Sequence, residues 1–309
     1  MLILGNKYVF SERDKKQLSK KFKNFDIILY EKEDPKKIRK YIGKLLKNKK
    51  YSHLILNTSA KIDSKIIRYL TLIQFKTRQH NLKIITIEDF LESDLKKCYI
   101  PSEQNNLNFL AQIHPYNKIE YIIKRIVDFI GVILLAIINL PIKIYVKRKI
   151  TEQSPGEILF KQPRVGKDIK IFICNKYRTM HLNSDFNPYT RKNDSRIFEF
   201  GNFMRKTRID EIPQYKNIIN GDMHLVGPRA EWDILVRNYE KSIPYYNERH
   251  LVAPGITGWA QVNYPYGENE YDARQKLMYD LYYIKHWSLW LEIKIIFKTI
   301  IIVITKKGI

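Results

Sequence analysis

The first 90 residues alternate short β-type runs with amphipathic helical runs. Apolar and polar positions that alternate over a few residues favour strands. The candidate strands are Lys7–Phe10, Asp26–Tyr30, His53–Asn57 and Lys83–Ile87. Because strands that alternate with helices usually form a parallel sheet with helices on its faces, this region predicts a small α/β domain.

Helix start signals lie between these strands. Ser11 followed by Asp14 resembles a capping box. Asp34 before Pro35 is a typical N-cap and first-turn pair. A third helix is predicted over Asp63–Arg78. These signals support the alternation of strands and helices and predict where the first two helices begin.

A connecting segment follows this region. Ser93–Tyr116 is rich in Asn and contains Pro101 and Pro115. We therefore expect residues 1–110 to form the cytoplasmic α/β domain, and residues 111–309 to form a mainly α (α+β) membrane-associated domain. No GxGxxG motif follows the first predicted strand, and Gly5 alone is a weak signal. The first domain is interpreted as a scaffold or regulator.

The longest apolar run is Ile126–Ile142, which also contains Asp128 and Pro141. It is shorter than the ~20 residues of a clean transmembrane helix. Basic residues flank both ends, at Lys124, Arg125, Lys143, Lys147, Arg148 and Lys149. Because positive flanks favour the cytoplasmic side and proline favours a kink, we predict a helix that enters one leaflet, bends near Leu140–Pro141 and returns. A buried helix of a soluble core is the alternative.

The C-terminal run Trp287–Ile304 has two tryptophans and a large apolar face. Glu292, Lys294 and Lys298 interrupt that apolar sequence. This combination is typical of a helix that lies in the membrane interface. A core strand over the β-branched residues Ile300–Ile304 is the competing interpretation.

Composition adds a strong positive charge. The 55 Lys and Arg residues against 32 Asp and Glu residues give a formal net charge of +23. Such an excess attracts nucleic acid, anionic lipid or phosphorylated substrates and does not choose among them. Cys98 and Cys174 are far apart and lie outside any CxxC motif. We therefore expect no zinc site and two reduced cysteines.

Candidate chemistry concentrates between the two apolar elements. Segments there combine basic side chains with Gly or Pro, and they read FKQPRVG, NKYRTM, RKTRIDEIPQ, GDMHLVGPR and PGITGWAQVNYPYG. Arginine presents a planar fork that matches phosphate oxygens. Glycine allows backbone N–H groups to approach a ligand closely. Several such segments in one domain predict a site for a substrate with more than one phosphate.

Asp210 and Glu211 stand within this basic context. A carboxylate can attack phosphorus and form an acyl phosphate, which divides a difficult transfer into two steps. Carboxylate oxygens also suit Mg²⁺, which neutralises phosphate charge. On residue types alone, surface ion pairs with Arg205, Lys206 and Arg208 are the favoured alternative.

The order of these motifs along the chain favours a catalytic pair over surface ion pairs. KRIVD, LFKQPRVG, NKYRTM, GNFMRKTRIDEIPQ, GDMHLVGPR, PGITGWAQVN and YDLYYIKHWSLWLEIKII follow one another from Lys124 to the C-terminus. In this order they resemble the bacterial polyprenyl-phosphate sugar-1-phosphate transferases. These are monotopic phosphoglycosyl transferases that initiate exopolysaccharide, O-antigen (lipopolysaccharide) and glycan assembly. The C-terminal run looks closest to the exopolysaccharide priming branch.

The resemblance implies an activity and a place in the cell. The enzyme would transfer a sugar-1-phosphate from a UDP-sugar to undecaprenyl phosphate and release UMP. Asp210 would be the nucleophile and a ligand of the required Mg²⁺, with Glu211 as the second member of the pair. The re-entrant helix, with Lys124, Arg125, Asp128 and Pro141, would insert into the lipid of the inner membrane from its cytoplasmic face.

The resemblance also assigns binding residues. The expected phosphate-binding residues are Lys176, Arg178, Arg205, Arg229 and Arg249. The expected nucleotide-sugar or loop residues are Gln162, Arg164, Gln214 and Thr257. The identity of the sugar, the glycan pathway and a homo-oligomeric state are left open by the sequence.

Two other function classes remain as alternatives. The first is a membrane-bound scaffold of polysaccharide assembly that keeps the fold without activity, although the Asp-Glu pair speaks against it. The second is a nucleic-acid-binding protein, suggested by the charge and the 21 tyrosines. No nucleic-acid-binding motif is recognised, so we expect no nucleic-acid partner.

Overall fold

The computed structural model describes residues 1–30, 34–76, 82–104, 113, 116–185, 187, 193–264, 267 and 269–305. The chain forms two compact units, Met1–Tyr99 and Ile100–Ile309. The division falls within the connecting segment inferred from the sequence. Each unit has its own secondary structure and its own buried residues.

The first unit is a four-stranded parallel sheet with helices between its strands, as the sequence predicts. The strand order is β2-β1-β3-β4. The strands are β1 (Leu2–Leu4), β2 (Asp26–Ile28), β3 (His53–Leu56) and β4 (Lys83–Thr86). The helices are α1 (Glu12–Ser19), α2 (Pro35–Asn48), α3 (Ser64–Lys76) and α4 (Ile87–Phe90), the last followed by a π-helical turn, Leu91–Leu95.

Both predicted helix starts are confirmed. The Ser11 side chain accepts from the Asp14 N–H while the Asp14 carboxylate accepts from the Ser11 N–H, which closes a capping box. The Asp34 side chain accepts from the Lys36 N–H, with Pro35 in the first turn of α2. The predicted end of the third helix at Arg78 lies outside the described residues.

The first predicted strand, Lys7–Phe10, is wrong. The strand is Leu2–Leu4, a wholly buried apolar run of the kind found in central parallel strands. Residues 7–10 form a loop after it, and the Asn57 side chain accepts from the Tyr8 N–H at 2.8 Å and donates to the Tyr8 carbonyl at 2.9 Å. This loop, rather than a strand, accounts for the alternating burial there.

The second unit begins with α5 (Lys118–Gln153), a helix of 36 residues. Within the described residues it is the one helix long and apolar enough to cross a membrane by length and composition. Only 22% of its most apolar stretch is buried, which disfavours a soluble core helix. The chain is helical on both sides of Pro141. The predicted break at Leu140–Pro141 is therefore not confirmed.

Two polar residues of α5 are buried, and their predicted role is corrected. Lys124 donates to the Val226 carbonyl at 2.7 Å and to Glu292 Oε1 at 2.5 Å. Asp128 accepts from the Leu225 N–H at 2.7 Å and lies 2.6 Å from His224 Nδ1. Because Lys124 is fully buried, it cannot act as a positive flank at a lipid head group.

Short strands and helices complete this unit. An antiparallel pair joins β5 (Leu159–Val165) and β6 (Ile171–Tyr177), and a parallel pair joins β7 (His224–Val226) and β8 (Gly255–Thr257). The helices are α6 (Glu199–Thr207), α7 (Tyr215–Ile219), α8 (Asp233–Ser242), α9 (Trp259–Asn263), α10 (Glu270–Lys285) and α11 (Leu289–Ile304). Turns of 3-10 helix span Lys167–Ile169, Ile209–Gln214 and Asn247–Leu251.

The C-terminal run is helical throughout, so a strand over Ile300–Ile304 is wrong. Helix α11 exposes a row of large apolar side chains. Trp290 is 79% exposed, Phe297 63% and Ile304 73%. An exposed apolar row of this size is typical of a surface that contacts lipid or another protein. Its position in the membrane interface stays a prediction.

Candidate active site

The chain presents the Asp-Glu pair on a tight turn. Helix α6 ends at Arg208, whose backbone is left-handed with φ of 59°. A left-handed residue stops an α-helix and redirects the chain. The next six residues form the 3-10 turn Ile209–Gln214, in which both carboxylates are buried. The pair therefore does not lie at the surface, although one of the ion pairs of that alternative, between Glu211 and Arg208, is present.

Glu211 is surrounded by positive charge. Its Oε1 accepts from Lys176 Nζ at 2.8 Å and from an Arg229 nitrogen at 3.1 Å. Its Oε2 lies 3.4 Å from an Arg208 nitrogen. Burial favours the neutral acid, but the charges of Lys176, Arg229 and Arg208 outweigh it and lower the pKa of Glu211 well below its usual range. Glu211 is therefore a permanent carboxylate with both oxygens occupied.

Asp210 has the opposite environment. Its Oδ1 is buried and has no hydrogen-bond partner among the residues that the structure describes. Burial, followed by the negative charge of Glu211, raises the pKa of Asp210 to about 6. The carboxylate is thus mostly ionised at neutral pH and holds an unpaired oxygen. Such an oxygen is suited to attack an electrophile.

A cavity of about 510 Å³ opens at this pair. It brings together most of the residues predicted from the sequence. Besides Asp210 and Glu211, these are Gln162, Arg164, Lys176, Arg178, Arg205, Arg229 and Arg249. Cationic side chains converge on one cavity of ligand size, which is the geometry expected of a site for a phosphorylated ligand.

Arg178 lines the cavity but is held by the backbone. Its guanidinium donates to Ser154 Oγ, to the Ser154 carbonyl and to the carbonyls of Glu157 and Met180, at 2.5 to 3.1 Å. These contacts fix the end of α5 to β6. Because four of its five N–H donors are used by protein acceptors, Arg178 has a structural role here. Its phosphate contact stays a prediction.

Arg249 also points to protein groups. It donates to the Tyr246 hydroxyl at 2.7 Å and to the Arg229 carbonyl at 2.8 Å, and it forms an ion pair with Asp280 at 2.9 Å. These contacts indicate a positioning role for Arg249, and its direct phosphate contact stays a prediction. Arg249 holds the backbone of Arg229, whose side chain reaches Glu211.

Two predicted loop residues do not line the cavity. The Thr257 hydroxyl lies 2.6 Å from the Thr299 hydroxyl of α11. Gln214 is buried at the end of the 3-10 turn. Both predictions came from motif membership, which does not indicate the direction of a side chain. The cavity instead contains residues that the sequence did not single out, including Glu231, Tyr239, Tyr246, Lys276 and Asp280.

The donor groups fit Mg²⁺ only with a substrate present. No group of three or more His, Cys, Asp or Glu residues is clustered in the part of the chain that the structure describes. The oxygens of Glu211 are used by cations, whereas Asp210 Oδ1 is unpaired. One carboxylate together with phosphate oxygens and water is a common coordination for Mg²⁺.

Comparison with known proteins assigns a family. The family model for "Bacterial sugar transferase" matches residues 119–306. A UDP-N-acetylgalactosamine-undecaprenyl-phosphate N-acetylgalactosaminephosphotransferase of Aeromonas hydrophila is 39% identical over 203 residues, which is 65% of this chain and 48% of that protein. A UDP-glucose:undecaprenyl-phosphate glucose-1-phosphate transferase of Escherichia coli K12 is 35% identical over 190 residues, which is 60% of this chain and 41% of that protein.

A third similar protein has galactose in its name. An undecaprenyl-phosphate galactose phosphotransferase of Salmonella typhimurium is 36% identical over 203 residues, which is 60% of this chain and 41% of that protein. The chain thus spans less than half the length of these relatives. The matched region contains the complete cavity around Asp210. The chain therefore belongs to the bacterial sugar transferase family.

Proposed function

We propose that the protein transfers a sugar-1-phosphate from a UDP-sugar to undecaprenyl phosphate, giving undecaprenyl-diphosphate-sugar and UMP. This would be the priming step of a surface polysaccharide or glycan. The names of the relatives support the substrate classes. The observation that carries the proposal is the unpaired oxygen of Asp210 in a cavity lined by cations.

The proposed reaction has two steps. An oxygen of Asp210 attacks the sugar-linked phosphorus of the donor, and the bond from this phosphorus to the bridging oxygen breaks. UMP leaves with the electron pair, and the phospho-sugar remains on the aspartate. A phosphate oxygen of the lipid then attacks the same phosphorus, the bond to Asp210 breaks and the carboxylate is restored.

Glu211 organises the charges for both steps. It fixes Lys176, Arg208 and Arg229 through contacts of 2.8 to 3.4 Å. Cations that are held before the reaction need no reorganisation when negative charge develops on phosphate oxygens. Glu211 is thus a positioning residue, and Asp210 alone of the pair contacts the reacting phosphorus.

Asp210, together with phosphate oxygens of the donor, would hold Mg²⁺ at this site. When bound, it would neutralise phosphate charge and polarise the phosphorus. Asp210 holds an unpaired oxygen for this contact. The proposed requirement for Mg²⁺ predicts that chelation stops UMP release and that added Mg²⁺ restores it.

The membrane placement follows from two exposed apolar surfaces. Helix α5 exposes Phe129, Ile130 and Leu140, and α11 exposes Trp290 and Phe297. We place α5 as a re-entrant helix that enters from the cytoplasmic face. Pro141 lacks a backbone donor and weakens the helix locally, so it is the expected site of a bend in lipid.

The decisive assay measures UMP release by the full chain in detergent, with Mg²⁺, polyprenyl phosphate and a panel of UDP-sugars. Turnover with at least one donor is expected. Asp210→Asn should reduce it by about 10⁴-fold or more, since an amide is a poor nucleophile. Asp168→Asn, at an exposed hairpin tip, is the matched control and should leave turnover unchanged. Full turnover by Asp210→Asn would refute the proposed nucleophile.

The covalent intermediate has its own test. Without the lipid acceptor, the wild type should release one UMP per enzyme and retain a radiolabelled phospho-sugar. Asp210→Asn should retain none. Loss of this label when the lipid acceptor is added would agree with the two-step route. A wild type that turns over without ever retaining label in the absence of acceptor would instead indicate direct transfer.

A further inference from the structure

Lys276 differs from the other cations of the cavity. It lies on α10 and lines the cavity together with Glu231, Arg229 and Arg249. Within the part of the chain that the structure describes, its ammonium has neither a hydrogen bond nor an ion pair. An ammonium carries three donors that require acceptors.

The remaining cations of the cavity all have protein partners. Lys176, Arg208 and Arg229 contact Glu211. Arg249 contacts Asp280, and Arg205 donates to Thr179 Oγ1. The other pairs are Arg164 with the Ala230 carbonyl, Arg178 with Ser154 and Arg196 with Asp194. Among the described cations that line the cavity, Lys276 is therefore the one without a protein partner.

The surroundings of Lys276 make an unpaired ammonium unfavourable. It is half-buried, and burial is the largest of the effects that lower its pKa. The charge of Glu231 opposes this shift, while the charges of Arg229 and Arg249 add to it. A partly desolvated cation without acceptors loses hydrogen bonds to water and gains none from the protein, which costs free energy. An anion in the cavity would supply the missing acceptors.

Lys276 and the nucleophile share this cavity but have different charged neighbours. The strongest charge effects on Asp210 come from Glu211, Lys176 and Arg205. Those on Lys276 come from Glu231 and Arg229. Arg229, which contacts Glu211 and acts on Lys276, links the two groups. Because both groups line one cavity, we expect a ligand with more than one phosphate to bring acceptors to Lys276 as well as a phosphorus atom to Asp210.

Resting on the function proposed above, we infer that the Lys276 ammonium binds a second phosphate, one that Asp210 does not attack. This phosphate is either that of the departing UMP or that of the lipid acceptor. In the first case, the electron pair of the broken phosphorus–oxygen bond stays on UMP, and Lys276 stabilises the new negative charge. In the second case, Lys276 orients the attacking oxygen.

Two variants and one control test the inference in the full chain. Lys276→Met removes the charge and keeps an unbranched side chain, and Lys276→Arg keeps the charge. Lys285→Met, on the same helix but outside the cavity lining, is the matched control. The measurements are UMP binding by calorimetry, KM for the UDP-sugar, KM for polyprenyl phosphate and thermal unfolding.

If Lys276 binds the nucleotide, Lys276→Met should weaken UMP binding by about 10- to 100-fold and raise KM for the donor. KM for the lipid should stay constant. If it binds the acceptor, KM for the lipid should rise instead, with UMP binding unchanged. Lys276→Arg should retain most of the wild-type binding in either case. Unchanged UMP binding together with an unchanged KM for the lipid in Lys276→Met would overturn the inference.

Two features keep this test independent of the proposed reaction. UMP binding needs no turnover, so it can report on Lys276 even if no donor of the panel reacts. Thermal unfolding separates binding from folding, because replacing a partly desolvated ammonium by methionine should leave Tm equal or higher. A wild type that binds UMP but never releases it from any UDP-sugar would contradict the proposed function alone.

Discussion

At the scale of single residues, adjacent carboxylates have opposite environments. Glu211 meets Lys176, Arg208 and Arg229, whereas Asp210 keeps a buried oxygen without a partner in the described structure. When the environment moves the pKa values of two neighbouring carboxyl groups in opposite directions, the two groups can take different roles in catalysis. This difference agrees with the proposed division of the pair into a nucleophile, Asp210, and a positioning residue, Glu211, and the two pKa directions lead to two predictions.

The first concerns stability. The pKa of Asp210 is about 6 in the folded protein against an ordinary value of 3.8, so the folded state binds this proton more tightly. On this account, stability falls as pH rises from about 4 to about 6 and stays lower above. Asp210→Asn should therefore gain on the order of 3 kcal/mol at pH 7.5 and little at pH 4. Denaturant unfolding at both pH values measures this; an equal gain at both would exclude ionisation as the cause.

The second concerns the pH dependence of turnover. Wild-type kcat should fall as pH drops through about 6, because Asp210 becomes protonated. Glu211→Gln removes the second cause of the raised pKa, so this limb should move to lower pH. Its kcat should also fall, by about 10²-fold, because the cations lose their anchor. The measurement is kcat from pH 5 to 8 for the wild type and for Glu211→Gln. If the fall in kcat at low pH occurs at the same pH in both, a group other than Asp210 titrates.

At the scale of elements, buried ion pairs join helices that are distant in sequence. Lys124 of α5 reaches Glu292 of α11, 168 positions later, and Glu292 also accepts from the Tyr283 hydroxyl and the Trp287 indole. Asp128 joins α5 to the start of β7 by hydrogen bonds, accepting from the Leu225 N–H and lying 2.6 Å from His224 Nδ1. These contacts hold the two most apolar helices of the unit to the strand that precedes Arg229.

The third prediction tests this link. Lys124→Met should lower the free energy of unfolding by about 3–5 kcal/mol, because the Glu292 carboxylate stays buried without its cation. Adding Glu292→Leu should recover part of the loss. Lys149→Met, which breaks an exposed pair with Glu152 on the same helix, should leave the free energy of unfolding nearly unchanged, because solvent screens that pair. Urea unfolding in mild detergent compares the three; a loss in Lys124→Met no larger than in the control would argue against the pair.

Local signals predicted the elements better than the site. The caps at Ser11 and Asp34 were read correctly because each involves residues within three positions. Strand Leu2–Leu4 was missed because its burial depends on two neighbouring strands. The pairing of Lys124 and the position of Lys276 depend on packing across the chain, which no local pattern indicates.

At the scale of the whole molecule, charge and exposed apolar surface point to the same environment. A net charge of +23 favours the anionic cytoplasmic leaflet. Helices α5 and α11 expose apolar rows that such a leaflet could cover. The combination agrees with the proposed location at the membrane surface, whereas binding to nucleic acid would need the charge but not the apolar rows.

The fourth prediction places α11 in lipid. Trp290 is 79% exposed, whereas Trp259 is 3% exposed. In vesicles with brominated acyl chains, lipid should quench a large part of the wild-type tryptophan fluorescence. Trp290→Phe should remove most of the quenchable fluorescence. Trp259→Phe is the matched control and should preserve it. Equal quenching in wild type and Trp290→Phe would mean that this face of α11 lies outside the lipid.

The hydrogen bond to the Val226 carbonyl connects the apolar helix α5 to the chain that leads to Arg229. This carbonyl accepts from Lys124 of α5 and lies three residues before Arg229. A helix changes its tilt when bilayer thickness changes. A tilt of α5 would therefore pull on the chain just ahead of the catalytic charges. With α5 in lipid as proposed, turnover is expected to depend on acyl-chain length.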